Sequence, residues 1–337
     1  MSETASPGEA KPNLNADEVM AVPRRRWFSP ILAVPTPVIF ALAAALATIL
    51  LWWQGGLSEI VISIRSVHPA RIVAILLVYA ASILLLGIRW HALVRMAGGT
   101  PHWSSSAEVF LTSVIVNYAA PIGLAVPTRA ALTVRDLELS PGQSGAVVGW
   151  EAALDVLALS LISAAWLLLG GSDLVQSVSA DGRVLLLWAV IVVLGMVMTA
   201  AVCRSTAIRS RIAPFASRLL SSPTRHPILA LIALALTAAF WAIQIGIMAA
   251  LLQLFGVAIS LSLLFGIMGV PVLVGMLSPV PGGAGVREAL MAAAARLAGI
   301  PTGPVVLAAI AYRLALFLVT PLVWGAVRLA RAGANHR

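Results

Sequence analysis

Residues 279–288 read PVPGGAGVRE and end the longest uncharged run of the sequence. No Asp, Glu, Lys or Arg lies between Arg225 and Arg287, and two prolines and three glycines precede an adjacent Arg–Glu pair. Irregular backbone at membrane depth is tolerated only where protein or a water-filled cavity satisfies its polar groups. The stretch is therefore either a re-entrant turn that lines such a cavity or a tight turn outside the membrane with a solvated Arg–Glu pair.

Composition indicates that this chain folds in a membrane. Of 337 residues, 60% are hydrophobic and 10% are charged, and the mean hydropathy is +0.99, whereas a soluble chain carries about 25% charged residues. The net charge of +9 comes almost wholly from arginine, since Lys11 is the only lysine. In a membrane protein this excess indicates orientation and contact with anionic lipids rather than nucleic-acid binding. A single cysteine, Cys203, excludes a disulfide framework and a cysteine metal cluster.

Uncharged windows close to the ~20 residues that a spanning helix needs set the predicted architecture. We expect an all-α integral membrane protein with about six spanning helices and two re-entrant helical hairpins. The predicted spans are residues 31–53, 71–89, 146–170, 184–203, 227–252 and 305–327. The broken segments 104–135 and 261–298 each hold two limbs too short to span, and they predict the hairpins. The predicted domains are a disordered cytoplasmic tail at 1–29, a membrane domain at 30–330 and a cytoplasmic tail at 331–337.

Three arginines, Arg24 to Arg26, precede the first apolar run, as they would in a twin-arginine signal peptide with a cleavage site at residues 45–47. The run is too long for a signal core and ends in Trp52 and Trp53, a pair typical of a membrane interface. We therefore favour a spanning helix.

The placement of charge predicts the sidedness. Residues 203–226 hold five arginines and no acid, which indicates a cytoplasmic loop, whereas residues 171–182 carry Asp173 and Asp181. The positions of these charges are consistent with one topology if both termini are cytoplasmic. The first hairpin must then open on the cytoplasmic side and the second on the outer side.

The order of the segments predicts an inverted repeat. Each half reads span, span, broken hairpin, span, with boundaries at about 30–172 and 183–330. Three crossings per half is an odd number, so the second half is inverted, a pattern typical of substrate-translocating proteins. A proline and an arginine eight residues apart recur in the two hairpins: Pro121 and Arg129, then Pro279 and Arg287.

Acidic residues inside a predicted span need partners. Glu151 and Asp155 are four residues apart and face one side of a helix. A charge near the bilayer centre costs roughly 2.5–3.5 kcal/mol on insertion scales, so unpaired acids are not expected there. The natural partners for these two acids and for Glu288 are Arg129, Arg287 and Arg313. The alternative is that Glu151 lies at the cytoplasmic end of its helix and snorkels.

The glycine-rich turn is the second candidate site. Pro281 ends one limb, and Gly282, Gly283 and Gly285 let the chain turn closely and expose amide hydrogens. A helix that begins after them points its N-terminus at the turn, a ready anion site strengthened by Arg287. We expect this turn to face a cavity and to stand apart from the packed bundle.

Enzyme signatures are mostly missing from the sequence. It has no G-x-x-x-x-G-K phosphate loop and no H-E-x-x-H, and its five histidines are scattered. We therefore expect no enzymatic activity and no cofactor or metal. A membrane enzyme that uses Glu151, Asp155 or Glu288 as an acid or base remains the alternative.

Taken together, these residues resemble a known family. PVPGGAGVRE is similar to the P-x-P-G-G-x-G-x-R-E signature of the lysylphosphatidylglycerol synthase transmembrane-domain family, also called the flippase-like domain family. Other marks similar to those of the family are Arg89-Trp90, Asn117-x-x-x-Pro121, Glu151-x-x-x-Asp155 and Arg313. The resemblance covers about residues 30–330.

The resemblance implies a multi-pass protein of the bacterial cytoplasmic (inner) membrane that moves a polar or anionic lipid between leaflets. The implied substrate-binding residues are Asn117, Pro121, Arg129, Glu151, Asp155, Pro281, Gly282, Gly283, Gly285, Arg287, Glu288 and Arg313. The implied partners are anionic or zwitterionic membrane lipids and a separate lipid-synthesising enzyme, with no nucleic acid; a homo-oligomer stays open. Because the chain ends at Arg337 without a synthetase domain, we expect a stand-alone translocator. Alternatives are a small-solute or ion-coupled secondary transporter, a lipid-modifying enzyme, and a scaffold for a synthetase.

Overall fold

Helices make up all the regular structure in the part of the chain that the computed structural model describes, which is residues 68–119, 125–180, 217, 221–278, 283 and 285–335. Their bounds are α1 Pro69–Met96, α2 Trp103–Ala119, α3 Ala125–Leu137, α4 Pro141–Ala180, α5 Pro227–Leu254, α6 Leu261–Met268, α7 Val270–Leu277, α8 Val286–Leu297 and α9 Thr302–Asn335. The predicted all-α class is therefore confirmed for these residues.

Four of these helices are long and apolar enough to cross a membrane. The crossing segments are Pro69–Met96, Pro141–Leu169, Pro227–Leu254 and Thr302–Ala332. They correspond to the spans predicted at 71–89, 146–170, 227–252 and 305–327. The spans predicted at 31–53 and 184–203, and the tail at 1–29, lie outside the described residues.

Two helices continue past the ends of the predicted spans. Helix α4 continues through residues 171–180, which were predicted to be a loop. Helix α9 continues to Asn335 and so includes most of the predicted C-terminal tail. A charged residue at the end of an apolar run marks the membrane boundary and need not end the helix.

The helices of the second half repeat those of the first, with α5 and α6 starting 158 residues after α1 and α2, and with α8 and α9 starting 161 residues after α3 and α4. Helices α1 and α5 both have 28 residues, and each starts at a proline that follows a histidine, Pro69 and Pro227. Proline is favourable at the first helical position because a backbone N–H there would have no acceptor within the helix, so its absence removes no hydrogen bond. Glycines with positive φ follow both helices at the same spacing, Gly98 (φ 92°) and Gly256 (φ 74°). The same spacing separates the start of α2 from the start of α6, and the end of α2 from the end of α7.

Helices α1 and α5 pack against each other more extensively than any other pair of described helices. Gln244 donates to Ser82 over 3.1 Å, and Arg89 donates to Thr237 over 3.3 Å. Residue numbers therefore rise along α1 as they fall along α5, so the two equivalent helices are antiparallel. These hydrogen bonds satisfy polar side chains in an otherwise apolar interface, as burial requires.

The two broken segments form hairpins with short limbs. Helix α2 has 17 residues and α3 has 13, about 25 and 20 Å at the α-helical rise. In the second half the first limb is divided at Gly269 into α6 and α7, and α8 is the second limb. Each first limb packs against the long helix of the other half, α2 on α9 and α6 on α4, and each second limb packs on the long helix of its own half. The hairpins therefore join the two halves.

Candidate functional site

Arginines and carboxylates from three helices meet inside the first half, and we name Arg89, Arg129, Glu151 and Asp155 the first cluster. Arg89 of α1 is 1% exposed and donates two hydrogen bonds to Asp155 of α4, over 2.6 Å to Oδ1 and 3.0 Å to Oδ2. Its Nη2 also lies 3.5 Å from Oε1 of Glu151. Arg129 of α3 donates to Oε2 of Glu151. Two cations thus face two anions, and the bidentate pair fixes their geometry.

Neutral side chains complete the surroundings of the first cluster. Arg129 donates from Nε to Ser113 over 2.7 Å, and its guanidinium lies 5.4 Å from the ring of Trp90 and 4.8 Å from that of Phe110. Trp241 donates from Nε1 to Asp155 over 3.1 Å. Aromatic faces stabilise a cation in a desolvated position, so each guanidinium of the first cluster has carboxylate, hydroxyl or ring partners.

The first cluster lies deep within the apolar span of α4. Asp155 is the midpoint of the segment Pro141–Leu169. Glu151 lies ten residues from the start of α4, about 15 Å along its axis. The alternative that Glu151 snorkels at the end of its helix is therefore wrong, since its carboxylate is buried and bound by Arg89 and Arg129.

A second group of charged residues lies where α8 meets α9, and we name Gly285, Arg287, Glu288, Tyr312 and Arg313 the second cluster. Nη2 of Arg313 lies 2.7 Å from Oε1 of Glu288, and the Gly285 N–H donates to Oε2 of Glu288 over 2.7 Å. The guanidinium of Arg287 lies 4.7 Å from the ring of Tyr312. The Nη2 of Arg287 is buried and makes no hydrogen bond within the described part of the chain. Of these two arginines, only Arg313 pairs with a carboxylate among the described residues.

Uncharged polar residues connect the second cluster to α1. Tyr312 donates its hydroxyl to Oε1 of Gln244 over 2.6 Å, and Gln244 donates to Ser82 over 3.1 Å. Gln244 and Ser82 are both almost completely buried. Ser82 lies seven residues before Arg89, two turns along the same face of α1. A line of hydrogen-bonded side chains thus runs from α9 through α5 to α1, the helix that carries Arg89 of the first cluster.

The residues of both clusters lie within one family match. The model of the family described as the lysylphosphatidylglycerol synthase TM region matches residues 39–325. The chain belongs to this family. No individual curated protein matched it significantly. Membership and the four apolar helices make the chain a multi-pass membrane protein related to lipid handling.

The ion pairs of this family member agree with the sequence prediction in part. Arg129 and Arg313 do pair with acids, as expected. The partner of Asp155 is Arg89, which the sequence placed at the end of a span and not inside one. Arg287 has no carboxylate partner among the described residues, so the expectation that it neutralises an acid is wrong.

The glycine turn of the family signature is more closely packed than expected. Gly283 is buried at φ 65°, and a Cβ there would lie 2.6 Å from the Cα and the carbonyl oxygen of Gly275. The expectation that the turn stands apart from the bundle is therefore wrong at Gly283. Helix α8 begins at Val286 as expected, yet the amide of Gly285 is bound by Glu288 and cannot also bind an external anion.

Some predicted site residues cannot be positioned. Pro121, Pro281 and Gly282 lie outside the described residues, and of Asn117 only its place in the last turn of α2 is described. Among the side chains that the structure does describe, no group of three or more His, Cys, Asp or Glu could hold a metal ion.

Sequence reasoning missed three buried polar residues and one peripheral contact. Thr237, Gln244 and Tyr312 carry no charge, and within long apolar runs their only signal is their polarity. The peripheral contact joins α2 to the end of α9, where Glu108 accepts from Arg331 over 2.6 Å. Both of these side chains are partly exposed, so the pair is expected to add little stability.

Proposed function

We propose that this protein moves a polar lipid between the leaflets of the bacterial cytoplasmic membrane, through a groove between the two hairpins. The observation that carries the proposal is that each hairpin contributes charged side chains, Arg129 from α3 and Arg287 with Glu288 from α8, to a cluster inside an apolar bundle. Ionisable groups inside a membrane protein are costly and usually mark a substrate or ion pathway.

The repeat supports an alternating mechanism. The repeated order of the helices, at spacings of 158 and then 161 residues, and the antiparallel packing of α1 on α5 favour an inverted repeat, with six spanning helices, re-entrant hairpins and both termini in the cytoplasm. In inverted-repeat transporters one half rocks against the other around a site near the midplane. The hairpins, which join the halves, would expose the clusters first to one side and then to the other.

The described side chains would handle the headgroup while the acyl chains stay in the surrounding lipid. Guanidinium groups replace the water that a phosphate loses on leaving the interface. The carboxylates hold those guanidinium groups in place and reduce the cost of burying them. Nothing in the described residues supplies an energy source, so the movement runs downhill or is coupled to an ion gradient.

The pairing of the acids supports transport without chemistry. Each of Glu151, Asp155 and Glu288 accepts from a guanidinium group or lies against one. A general base needs a lone pair within reach of the substrate proton, and these carboxylates are already occupied by guanidinium donors. We propose that the protein is not an enzyme, that its partners are anionic or zwitterionic lipids, and that a separate enzyme makes the transported lipid.

The test is leaflet exchange in reconstituted vesicles. Purified protein is inserted into vesicles that contain a fluorescent lipid, and quenching from outside reports the rate at which the inner leaflet empties, with and without an imposed pH gradient. We expect faster exchange than in protein-free vesicles and no new lipid species by mass spectrometry. Exchange at the protein-free rate, together with uptake of a small solute, would favour the secondary transporter; a new lipid species would favour the enzyme.

A further inference from the structure

The end of α9 carries a third group of charged side chains, where it packs against the first limb of the first hairpin. Nη1 of Arg331 donates to Oε2 of Glu108 on α2 over 2.6 Å. Nε of Arg328 lies 3.9 Å from Oε1 of the same carboxylate, which is too long for a hydrogen bond. The guanidinium of Arg328 also lies 5.0 Å from the ring of Trp324. We name Arg328 and Arg331 the α9 arginine pair; its two cations share one carboxylate.

The α9 arginine pair lies at the surface of the membrane. Both arginines belong to the last turns of the apolar segment Thr302–Ala332, and Trp324 precedes Arg328 by one turn. Tryptophan and arginine at the end of an apolar helix are typical of the membrane interface. Trp324 donates from Nε1 to Thr112 of α2 over 3.1 Å, which fixes the ring beside the pair. In the proposed sidedness this surface belongs to the cytoplasmic leaflet.

Glu108 occupies the α9 arginine pair only weakly. The side chains of Arg328 and Arg331 are 61% and 39% exposed, and an ion pair with such exposure adds little stability. One carboxylate also leaves a net positive charge on the group. Phosphate oxygens accept hydrogen bonds from the same planar donor fork that holds a carboxylate. An external phosphate can therefore take the place of Glu108.

We infer that the α9 arginine pair binds the phosphate of an anionic lipid from the cytoplasmic leaflet, and that Glu108 competes with this lipid for Arg331. Anionic headgroups of that leaflet lie at the depth where the pair ends the span. The site lies at the contact between α2 of the first hairpin and α9 of the second half. Binding at this site needs no translocation; only its use as an entrance to the groove rests on the proposed function.

Titration of the detergent-purified protein with phosphatidylglycerol, read by native mass spectrometry, tests the inference. Glu108→Gln keeps the size of the side chain and removes the competing charge, so affinity should rise about threefold, within the range of a partly exposed ion pair. The double variant Arg328→Gln with Arg331→Gln should lose about tenfold or more, since an arginine near an anionic headgroup contributes about fivefold. Parent-like affinity in either protein would overturn the inference.

Two controls separate competition from a general change of surface charge. Asp136→Asn makes the same charge change at the exposed ion pair of Arg135 and Asp136, which lies outside the α9 arginine pair, and it should leave the affinity unchanged. Glu108→Gln should also lose its effect in the background that lacks Arg328 and Arg331. An equal rise in Asp136→Asn, or a rise that persists without the two arginines, would show a general charge effect and refute the competition.

The identity of the ligand is tested with the parent protein. Phosphatidylcholine, whose headgroup is neutral overall, should bind more weakly than phosphatidylglycerol, and inorganic phosphate should compete only weakly because it is not held at the membrane surface. Inorganic phosphate that displaces phosphatidylglycerol at equal concentration would overturn the assignment to a lipid.

Binding and transport fail separately in this design. If phosphatidylglycerol binds through the α9 arginine pair but the parent exchanges no lipid between leaflets, the site stands and the proposed translocation is wrong. If the parent exchanges lipid and the double arginine variant binds phosphatidylglycerol unchanged, the translocation stands and the site is wrong.

Discussion

Replacing Asp155 with Ala should be among the most destabilising single changes in the bundle. The substitution removes the acceptor of two hydrogen bonds from Arg89, a guanidinium that is 1% exposed. Removing one partner of a buried ion pair costs about 3–5 kcal/mol because the other charge stays buried without compensation. Glu151, 3.5 Å away, and Thr237, 3.3 Å away, remain as weaker partners of Arg89. We therefore expect a loss close to the lower end, about 3 kcal/mol.

Two control variants separate this cost from general damage. Glu108→Ala breaks an ion pair with partly exposed side chains, and it should cost less than about 1 kcal/mol. A double variant, Arg89→Met with Asp155→Leu, removes both charges and should recover much of the stability, since apolar replacement of a buried pair is often neutral. The assay is thermal and denaturant unfolding in detergent at matched protein concentration. If Asp155→Ala is as stable as the parent, or if the double variant is no better than the single one, Arg89 does not depend on Asp155.

Three further predictions concern other parts of the fold. Gly283→Ala would place its Cβ 2.6 Å from the backbone of Gly275, whereas Gly299→Ala has a similar φ (69° against 65°) and open space around it. Gly283→Ala should lower the unfolding temperature clearly, and Gly299→Ala should cost only the backbone strain, about 1–2 kcal/mol. Equal effects would refute close packing of the turn. Tyr312→Phe leaves Oε1 of Gln244 without its donor and should cost about 1–3 kcal/mol in the same unfolding assay. It should keep the parent rate of leaflet exchange, because the ring beside Arg287 remains; loss of that exchange would refute the separation. With Cys203 replaced, a cysteine at Ser177 should react with an impermeant thiol reagent in intact cells and one at Ser217 only after permeabilisation; the reverse result would refute the assigned sidedness.

The sequence predicted the long helices well because their limits are set by local chemistry. The span predicted at 227–252 is α5, Pro227–Leu254. A proline marks its start, and its length is that of the apolar run. The hairpins were also predictable, because prolines and glycines interrupt runs that are too short to span twice. These features depend on neighbours in the chain and need no knowledge of the tertiary fold.

The interior charges were predicted less well because their partners are distant in sequence. Arg89 was placed at a span boundary, since an arginine after an apolar run is typical of an interface. Arg89 in fact lies inside α1, where its charge is bound by Asp155. That acceptor is 66 residues further along the chain, so the neighbouring sequence does not reveal it. The glycines of the turn were expected to face a cavity, yet composition cannot distinguish a glycine that lines a space from one that admits a neighbouring backbone. Gly283 is the second kind.

The most direct test of the account compares leaflet exchange of a labelled anionic lipid in vesicles that contain the parent, Arg287→Lys or Arg287→Ala. Lysine keeps the charge and loses the planar donor fork, and alanine loses both. We predict that Arg287→Lys keeps part of the parent rate and that Arg287→Ala loses most of it, while both variants insert and fold like the parent. Equal exchange rates for the parent and Arg287→Ala, at matched protein levels, would contradict the claim that this arginine receives the headgroup.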